Sequence, residues 1–346
     1  MASPPTAADV ELARAAAARP LASTPAATAQ RLARADWATG TVEEGGQSHR
    51  VLVVPGTGVV RMTRSRQAAA RLPRAVGLVQ ALEASARWPV ALPVPLTEVV
   101  TREDGTAAVV QDYLPGGPHP PHQGDPAVLR ALCEVLAAVD TGTLAPYLGP
   151  PFAYRGPWTA PRLRTVQELP GRLSAAYGDR LWNGDWTGEH PAVDGERFPE
   201  AAGELLATLT AWTADPPVPP SLVHGDLAGH NMRWQREGSR WMLTGILDWD
   251  LASAWDPALN VAYLSLWHGE DLLGAVARDP AEAWRARVWL GWMALETLDD
   301  AAGREDTDAP ANWPKLLRKV LPRIGRSVTA LRDGGPVRGD RTAVAR

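Results

Sequence analysis

Between Ser221 and Asp250 the chain folds back on itself in a way the sequence fixes closely. It reads Leu222-Val223-His224-Gly225-Asp226-Leu227-Ala228-Gly229-His230-Asn231, and later Gly245-Ile246-Leu247-Asp248-Trp249-Asp250. Pro219-Pro220 blocks continuation of any preceding helix. Ser221 to Val223 is then a short apolar approach, and Asp226 falls in a loop. Asn231 opens an extended run, Met232 to Gln235. Arg236-Glu237-Gly238-Ser239 reads as a turn in which Gly238 supplies positive φ. Trp241 to Leu247 returns as the second strand. A hairpin brings its two ends together, so Asn231 and Asp248 are expected side by side, near Asp226. Three oxygen-bearing side chains so placed suit phosphoryl transfer. One carboxylate orients a hydroxyl, and two further oxygen ligands hold a divalent cation on phosphates.

His224, Asp226 and His230 are also residue types that bind zinc, which leaves a metal-dependent hydrolase as an alternative. No other His or Cys cluster completes a tetrahedral set, so His224 reads better as a residue that hydrogen-bonds the loop. Asp256-Pro257 is a helix start signal, with Asp256 as the cap or a loop anchor and Ala258 to Leu264 continuing helically.

The 346 residues suit one two-lobed protein or two domains, and a 45% hydrophobic content allows a substantial core. No apolar run approaches transmembrane length. The Ala-rich N-terminus is broken by Asp9, Glu11, Arg14 and Arg19, a poor signal peptide. Cys133 is the single cysteine and lies in the apolar helical stretch 128–139, so a buried thiol is expected. With no disulfide available within the chain, a cytoplasmic location is expected. Charge is uneven. Residues 1–118 carry 12 Arg against 10 Asp and Glu, residues 119–313 carry 14 Arg against 27, and residues 314–346 carry 9 Lys and Arg against 2 Asp. An acidic middle argues against a nucleic-acid duplex as partner and favours a small neutral or cationic one. No membrane association is expected, and the oligomeric state is not readable.

Along the chain, residues 1–34 read as a mobile arm or helices and residues 35–117 as a strand-rich lobe. Residues 118–332 read as a helical lobe and residues 333–346 as a tail. In the first lobe, strands are expected at 39–42, 49–54 and 59–62, and again at 97–100 and 107–113, with a helix over 68–82 whose Leu72, Val76, Val79 and Leu82 share one side. Gly45-Gly46 could let backbone N–H groups approach a phosphate, with Ser48 adding a hydroxyl. Leu114-Pro115-Gly116-Gly117-Pro118 reads as the linker between lobes. Helices are then expected at 126–139, 199–212, 257–267, 280–300 and 314–332, and the Pro-, Gly- and Trp-rich stretch 146–195 resists assignment.

A β-rich lobe, a Pro/Gly linker and a helical lobe carrying HGDLAGHN and ILDWD together resemble the aminoglycoside phosphotransferase family. The resemblance covers roughly residues 35–300 and is most specific around the catalytic loop. It implies an α+β, bilobal, protein-kinase-like fold, with a small β-rich N-lobe and a larger, mostly helical C-lobe. It also implies transfer of the γ-phosphoryl group of ATP or GTP, with Mg2+, to a hydroxyl of a small molecule. By position, Asp226 resembles the family's catalytic base, and Asn231 and Asp248 its magnesium ligands. Asp250 stands where a second acidic residue touches a second metal ion or the substrate. Gln111, Asp112, Tyr113 and Leu114 lie where the linker strand holds the purine.

Two positions depart from the pattern. The family-like Lys on the third strand is absent, since the only lysines are Lys315 and Lys319, and Arg61 is its natural substitute. The helix Glu that would pair with it falls at Ala75. Both departures leave a nucleotide-binding pseudokinase as an alternative. For the acceptor, Glu270, Asp271, Glu296, Asp299 and Asp300 suggest an aminoglycoside or other amino-sugar cation. The fifteen tryptophans suggest an apolar acceptor such as a macrolide. Antibiotic resistance is the role the family implies, and a metabolite kinase is the other reading.

Overall fold

The computed structural model describes residues 2–44, 48–85, 88–150, 158–177, 195–304 and 311–335. The chain packs as two compact units. The first comprises Met1–Val128, Val139–Pro150 and Asp226–Ala254, and the second Leu129–Ala138, Pro151–Gly225 and Trp255–Arg346.

The first unit is built on a six-stranded antiparallel sheet in the order β1-β2-β3-β4-β6-β5, where β1 is Ala2–Ser3, β2 Thr41–Glu43, β3 His49–Val54, β4 Gly58–Thr63, β5 Val100–Thr101 and β6 Ala107–Gln111. Strand β6 is buried on both faces, which its unbroken run Ala-Ala-Val-Val-Gln anticipates. Alternation assigns the faces. Ala108 and Val110 join Leu52, Val60 and Met62 under helices α1 (Ala7–Ala17) and α2 (Ala26–Arg34), while Ala107 and Val109 meet Leu72 and Val76 of helix α3 (Arg66–Ser85).

Residues 7–34 are thus two packed helices and not a mobile arm. Thr6 and Asp9 form a reciprocal capping box at the start of α1. Asp9, 1% exposed, also pairs with Arg50 of β3, which ties the helix to the sheet. Small side chains, Ala13 and Ala16, let α1 lie close to the strands, so a helix of modest amphipathicity is held firmly.

The hairpin Met232–Glu237/Arg240–Ile246 has the expected turn, with Gly238 at φ 62°. Both of its outer edges are covered within this unit. Gly117 and Trp234 exchange two backbone hydrogen bonds at 3.0 and 2.8 Å, and Ala91 bonds Thr244 and Ile246 at 2.9 and 3.1 Å. Gly116 must be glycine here: its φ is 117°, and a Cβ would lie 2.7 Å from the Trp234 carbonyl oxygen. The expected linker is therefore laced to the hairpin, with His119 stacked edge-on against Trp234.

The second unit is mostly helical. Its long helices are Phe198–Ala214, Ala258–His268, Pro280–Gly303 and Trp313–Asp333. Where three of them cross, a Cβ on Gly291 would meet Leu205 at 2.5 Å and Ser327 at 2.7 Å. Cys133 is buried, as its apolar surroundings imply. Asp256, fully buried, accepts the Ala258 N–H at 3.0 Å and is met by Arg285 Nε at 3.1 Å and Trp289 Nε1 at 2.9 Å. The basic C-terminal segment packs through Leu317, Val320, Leu321 and Ile324, and Arg332 reaches Glu204 at 2.7 Å. The stretch 146–195 contributes short helices Ala160–Gln167 and Leu169–Tyr177, while residues 151–157 and 178–194 lie outside the described residues, as do 336–346 of the tail. No described helix is long and apolar enough to cross a membrane.

Candidate functional site

The approach strand Ser221–Val223 is held by a side chain from the helix that follows Asp256. Asn260, fully buried, accepts the His224 N–H at 3.1 Å and donates to the Leu222 carbonyl at 2.9 Å. One amide thereby fixes the backbone two residues before Asp226.

At the open end of the hairpin Met232 pairs with Ile246, and the Leu247 N–H donates to the Asn231 carbonyl at 2.7 Å. Asn231 and Asp248 are brought alongside each other by that bond. Asn231 Nδ2 donates to Asp226 Oδ2 at 2.8 Å and to the Asp226 carbonyl at 3.0 Å. The amide orientation leaves Asn231 Oδ1 as the atom a cation would meet. Asp248 has φ 58° and ψ 69°, a left-handed backbone that a non-glycine residue adopts at some cost and that concentrates at functional sites. Trp249, 2% exposed, is the buried peg of this loop. It stacks edge-on against Trp88 at 5.5 Å and donates to the Ile246 carbonyl at 3.3 Å. The flanking Asp248 and Asp250 side chains stay 52% and 30% exposed.

Arg61 on β4 joins these carboxylates. Its Nη2 forms an ion pair with Asp250, lies 3.5 Å from Asp248 Oδ1, and donates to His49 Nδ1 at 3.1 Å. Its side chain is 11% exposed, so it is not an exposed strand residue. Burial pulls the Arg61 guanidinium down, but Asp250 and Asp248 together raise it above its ordinary value. The His49 imidazole is pushed down to about 4 by burial and by the Arg61 charge, against the opposing pull of Asp250.

The remaining groups are also displaced. Desolvation raises the Asp226 carboxyl, with His230 at 3.9 Å and the Asn231 bond acting against it. Asp248 is raised first by desolvation. Arg61 opposes the shift, and the Asp250 and Asp226 charges add to it. A raised carboxylate is a better proton acceptor near neutral pH, which suits Asp226 to receive a hydroxyl proton.

The donor set fits magnesium. Asn231 Oδ1 and Asp248 are hard oxygens, and the openness of Asp248 allows the cation to keep several waters. Among the described residues no group of three or more His, Cys, Asp or Glu side chains assembles into a metal site. The zinc set His224, Asp226 and His230 is not among the groups that form, and His224 is itself fully buried.

Other expected residues have different settings. Gln111 ends β6 and donates to the Pro93 carbonyl at 3.1 Å, while the Asp112 N–H is taken by the Val94 carbonyl at 2.8 Å. The Tyr113 N–H bonds Asp112 Oδ1 at 3.1 Å, and Leu114 is 5% exposed. Ser48 is exposed, and the glycines Gly45 and Gly46 before it lie outside the described residues. Asp271 is exposed, and the four other acidic candidates of the second unit carry arginine partners. Glu270 is met by Arg323, Arg326 and Arg287 at 2.8, 2.6 and 3.4 Å. Glu296 and Asp299 share Arg162 at 2.9 and 2.7 Å, and Asp300 pairs with Arg304 at 3.0 Å. His49 and Asn260 escaped the sequence reading. The turn at Pro55–Gly58 held the signal for His49. Once the β3–β4 register pairs Val51 with Arg61, His49 two residues away falls on the same face.

A model of the phosphotransferase enzyme family matches residues 39–298. The chain is 29% identical over 280 residues to viomycin phosphotransferase from Streptomyces vinaceus, a match covering 77% of this chain and 88% of that one. Among solved structures, the GDP complex of a mutant aminoglycoside 2'-phosphotransferase-IIIa aligns with a TM-score of 0.57 at 17% identity, over 85% of this chain and 92% of that chain. A choline/ethanolamine kinase family protein from Mesorhizobium loti aligns with a TM-score of 0.50 at 20% identity, over 94% and 99%. At these identities the solved structures show the fold alone, an antiparallel sheet followed by a mostly helical region.

Proposed function

From its membership of the phosphotransferase enzyme family, to which this chain belongs, we propose that it moves the γ-phosphoryl group of ATP or GTP to a hydroxyl of a small cationic antibiotic, of the viomycin or aminoglycoside kind. The observation that carries the reading is the convergence of Asp226, Asn231 and Asp248 at the open end of one hairpin.

Asp226 orients the acceptor hydroxyl. As the hydroxyl oxygen bonds to the γ-phosphorus and the bond to the β,γ-bridging oxygen breaks, Asp226 receives the proton and a nucleoside diphosphate departs. Asn231 Oδ1 and Asp248 would hold Mg2+, which when bound would supply positive charge to offset that of the phosphates. Arg61 adds guanidinium N–H donors for phosphate oxygens. Positioning and electrostatics of this kind supply most of the barrier lowering in such chemistry.

The acceptor class is supported by the likeness to viomycin phosphotransferase and by the acidity of residues 119–313. Glu296, Asp299 and Glu270 do not carry it, because arginines of the chain already neutralise them. The reading implies work in the cytoplasm, where nucleoside triphosphates are found, and a role in antibiotic resistance.

A coupled nucleotide-consumption assay with ATP and with GTP, in Mg2+, tests this against viomycin, aminoglycosides, macrolides and hydroxylated metabolites. Consumption driven by viomycin or an aminoglycoside, with one phosphoryl group gained by the acceptor, is expected. A macrolide or a metabolite as the only active acceptor would overturn the acceptor class. Nucleotide binding with no acceptor-dependent turnover would overturn the enzyme reading in favour of a pseudokinase.

A further inference from the structure

We infer that Asp250 is the positioning residue of Arg61. From the loop after the hairpin it replaces the carboxylate that helix α3 does not supply, and it turns the guanidinium so that Nη1 faces the nucleotide phosphates. The inference rests on the reading of Arg61 as a phosphate ligand.

Alternation along β4 sends Val60 and Met62 to the α1 side of the sheet and leaves Arg61, paired in register with Val109, on the side of α3. That helix has nothing to offer it. Its sequence runs from Arg66 to Ser85 with Glu83 as the sole acid, and Glu83 is exposed near the far end. The helix itself is fastened in another way, by Arg74 Nε on the Tyr147 carbonyl at 2.8 Å. A charge partner for Arg61 has to come from elsewhere in the unit.

It comes to one atom. The ion pair with Asp250, the 3.5 Å approach of Asp248 Oδ1 and the 3.1 Å bond to His49 Nδ1 all meet Nη2. Nε and Nη1 take no part in these three interactions. A guanidinium is a rigid plane with five N–H groups, so fixing Nη2 fixes the direction of Nη1, whose two N–H groups can each meet a phosphate oxygen. His49, held neutral, accepts from Arg61 without adding a competing charge. A lysine here has one nitrogen, which would have to be divided between the carboxylate and the phosphates. The missing helix carboxylate and the arginine on β4 are then two sides of one arrangement.

The sign of the effect separates this from simpler accounts. Asp250 is an anion beside an anion site. By field alone, neutralising it would tighten nucleotide binding, and it would do so as well if Asp250 merely competed with phosphate for Arg61. Anchoring predicts the reverse.

The test is calorimetric titration of the full chain with ATP and with GTP, in EDTA and again in excess Mg2+. Wild type, D250N, R61M and the R61M/D250N double variant are compared, with folding checked by circular dichroism. In EDTA, D250N should weaken binding on the order of tenfold, R61M by at least as much, and the double variant no further than R61M, because both changes remove one interaction. D250E should bind more tightly than D250N. If D250N does not fold, D250S takes its place. Binding by D250N that equals or exceeds wild type would overturn the inference, and so would losses that multiply in the double variant. A loss seen only with Mg2+ would make Asp250 a metal ligand instead. Wild type that binds neither nucleotide would sink the phosphotransferase reading, and this inference with it.

Discussion

Asn231 Nδ2 stands 2.8 Å from Asp226 Oδ2, while the carbonyl of the same asparagine accepts the N–H of Leu247, the residue before Asp248. One residue therefore ties both carboxylates of the site together. N231A should lower turnover on the order of a hundredfold or more, because it removes a cation ligand and loosens Asp226 at once. N231D, which keeps an oxygen ligand but cannot donate to Asp226, should retain more Mg2+ binding than N231A. Steady-state kinetics across a Mg2+ titration check both.

D226N separates chemistry from stability. Desolvation raises the Asp226 carboxyl, so the native state holds its proton to higher pH than the unfolded chain does. Stability therefore falls as pH rises from the ordinary carboxylate value through the native one, and at neutral pH the ionised group is a burden. Replacing it with a neutral amide should raise the melting temperature at pH 7.5 while cutting turnover by on the order of a thousandfold. A melting temperature below that of wild type would contradict the desolvation account.

The hairpin was legible because proline and glycine punctuate it: Pro219-Pro220 ends the preceding helix and Gly238 turns the strands. With the turn placed, Asn231 and Asp248 had to meet. Helix α3 was legible from the spacing of Leu72, Val76, Val79 and Leu82, all of which are buried. The partners of Arg61 were not, since Asp248 and Asp250 lie 187 and 189 residues further on and no local pattern signals such a pairing. Helix α1 was hidden for a different reason. Its contact with the sheet depends on alanines and on a half-buried Asp9–Arg50 pair spanning 41 residues, neither of which leaves a strong periodic trace. The pairing of Glu296 and Asp299 with Arg162, more than a hundred residues upstream, was invisible on the same ground.

His49 gives the protein an acid-side weakness. Its imidazole is lowered from 6.5 to about 4 in the folded state, so below pH 6.5 the unfolded chain binds a proton that the native site refuses. The stability it contributes is present above pH 6.5 and is lost as pH falls toward 4. Denaturant melts at pH 7.5, 6.0 and 5.0 should show wild type losing stability faster than H49Q. Parallel slopes would contradict this.

Asn260 is fully buried and bonds the backbone on both sides of Val223. N260A strands a buried N–H and a buried carbonyl together, which should cost about 2–4 kcal/mol in equilibrium unfolding. N260L, equally unable to bond but closer in volume, should cost a similar amount, which separates the lost hydrogen bonds from lost packing.

Arg285 meets Asp256 where the carboxylate is fully buried. R285M leaves that charge without its cation and should destabilise by about 3–5 kcal/mol. The double change R285M/D256N should recover much of the loss, measured by urea unfolding.

The most direct test of the central claim follows the phosphorus. ATP or GTP labelled at the γ-phosphate is incubated with Mg2+, the most active acceptor, and either wild type or D248N, and label on the acceptor is measured. The hairpin site predicts transfer by wild type and a loss on the order of a thousandfold in D248N, with D248N still folded by circular dichroism. Equal transfer by the two proteins would contradict it.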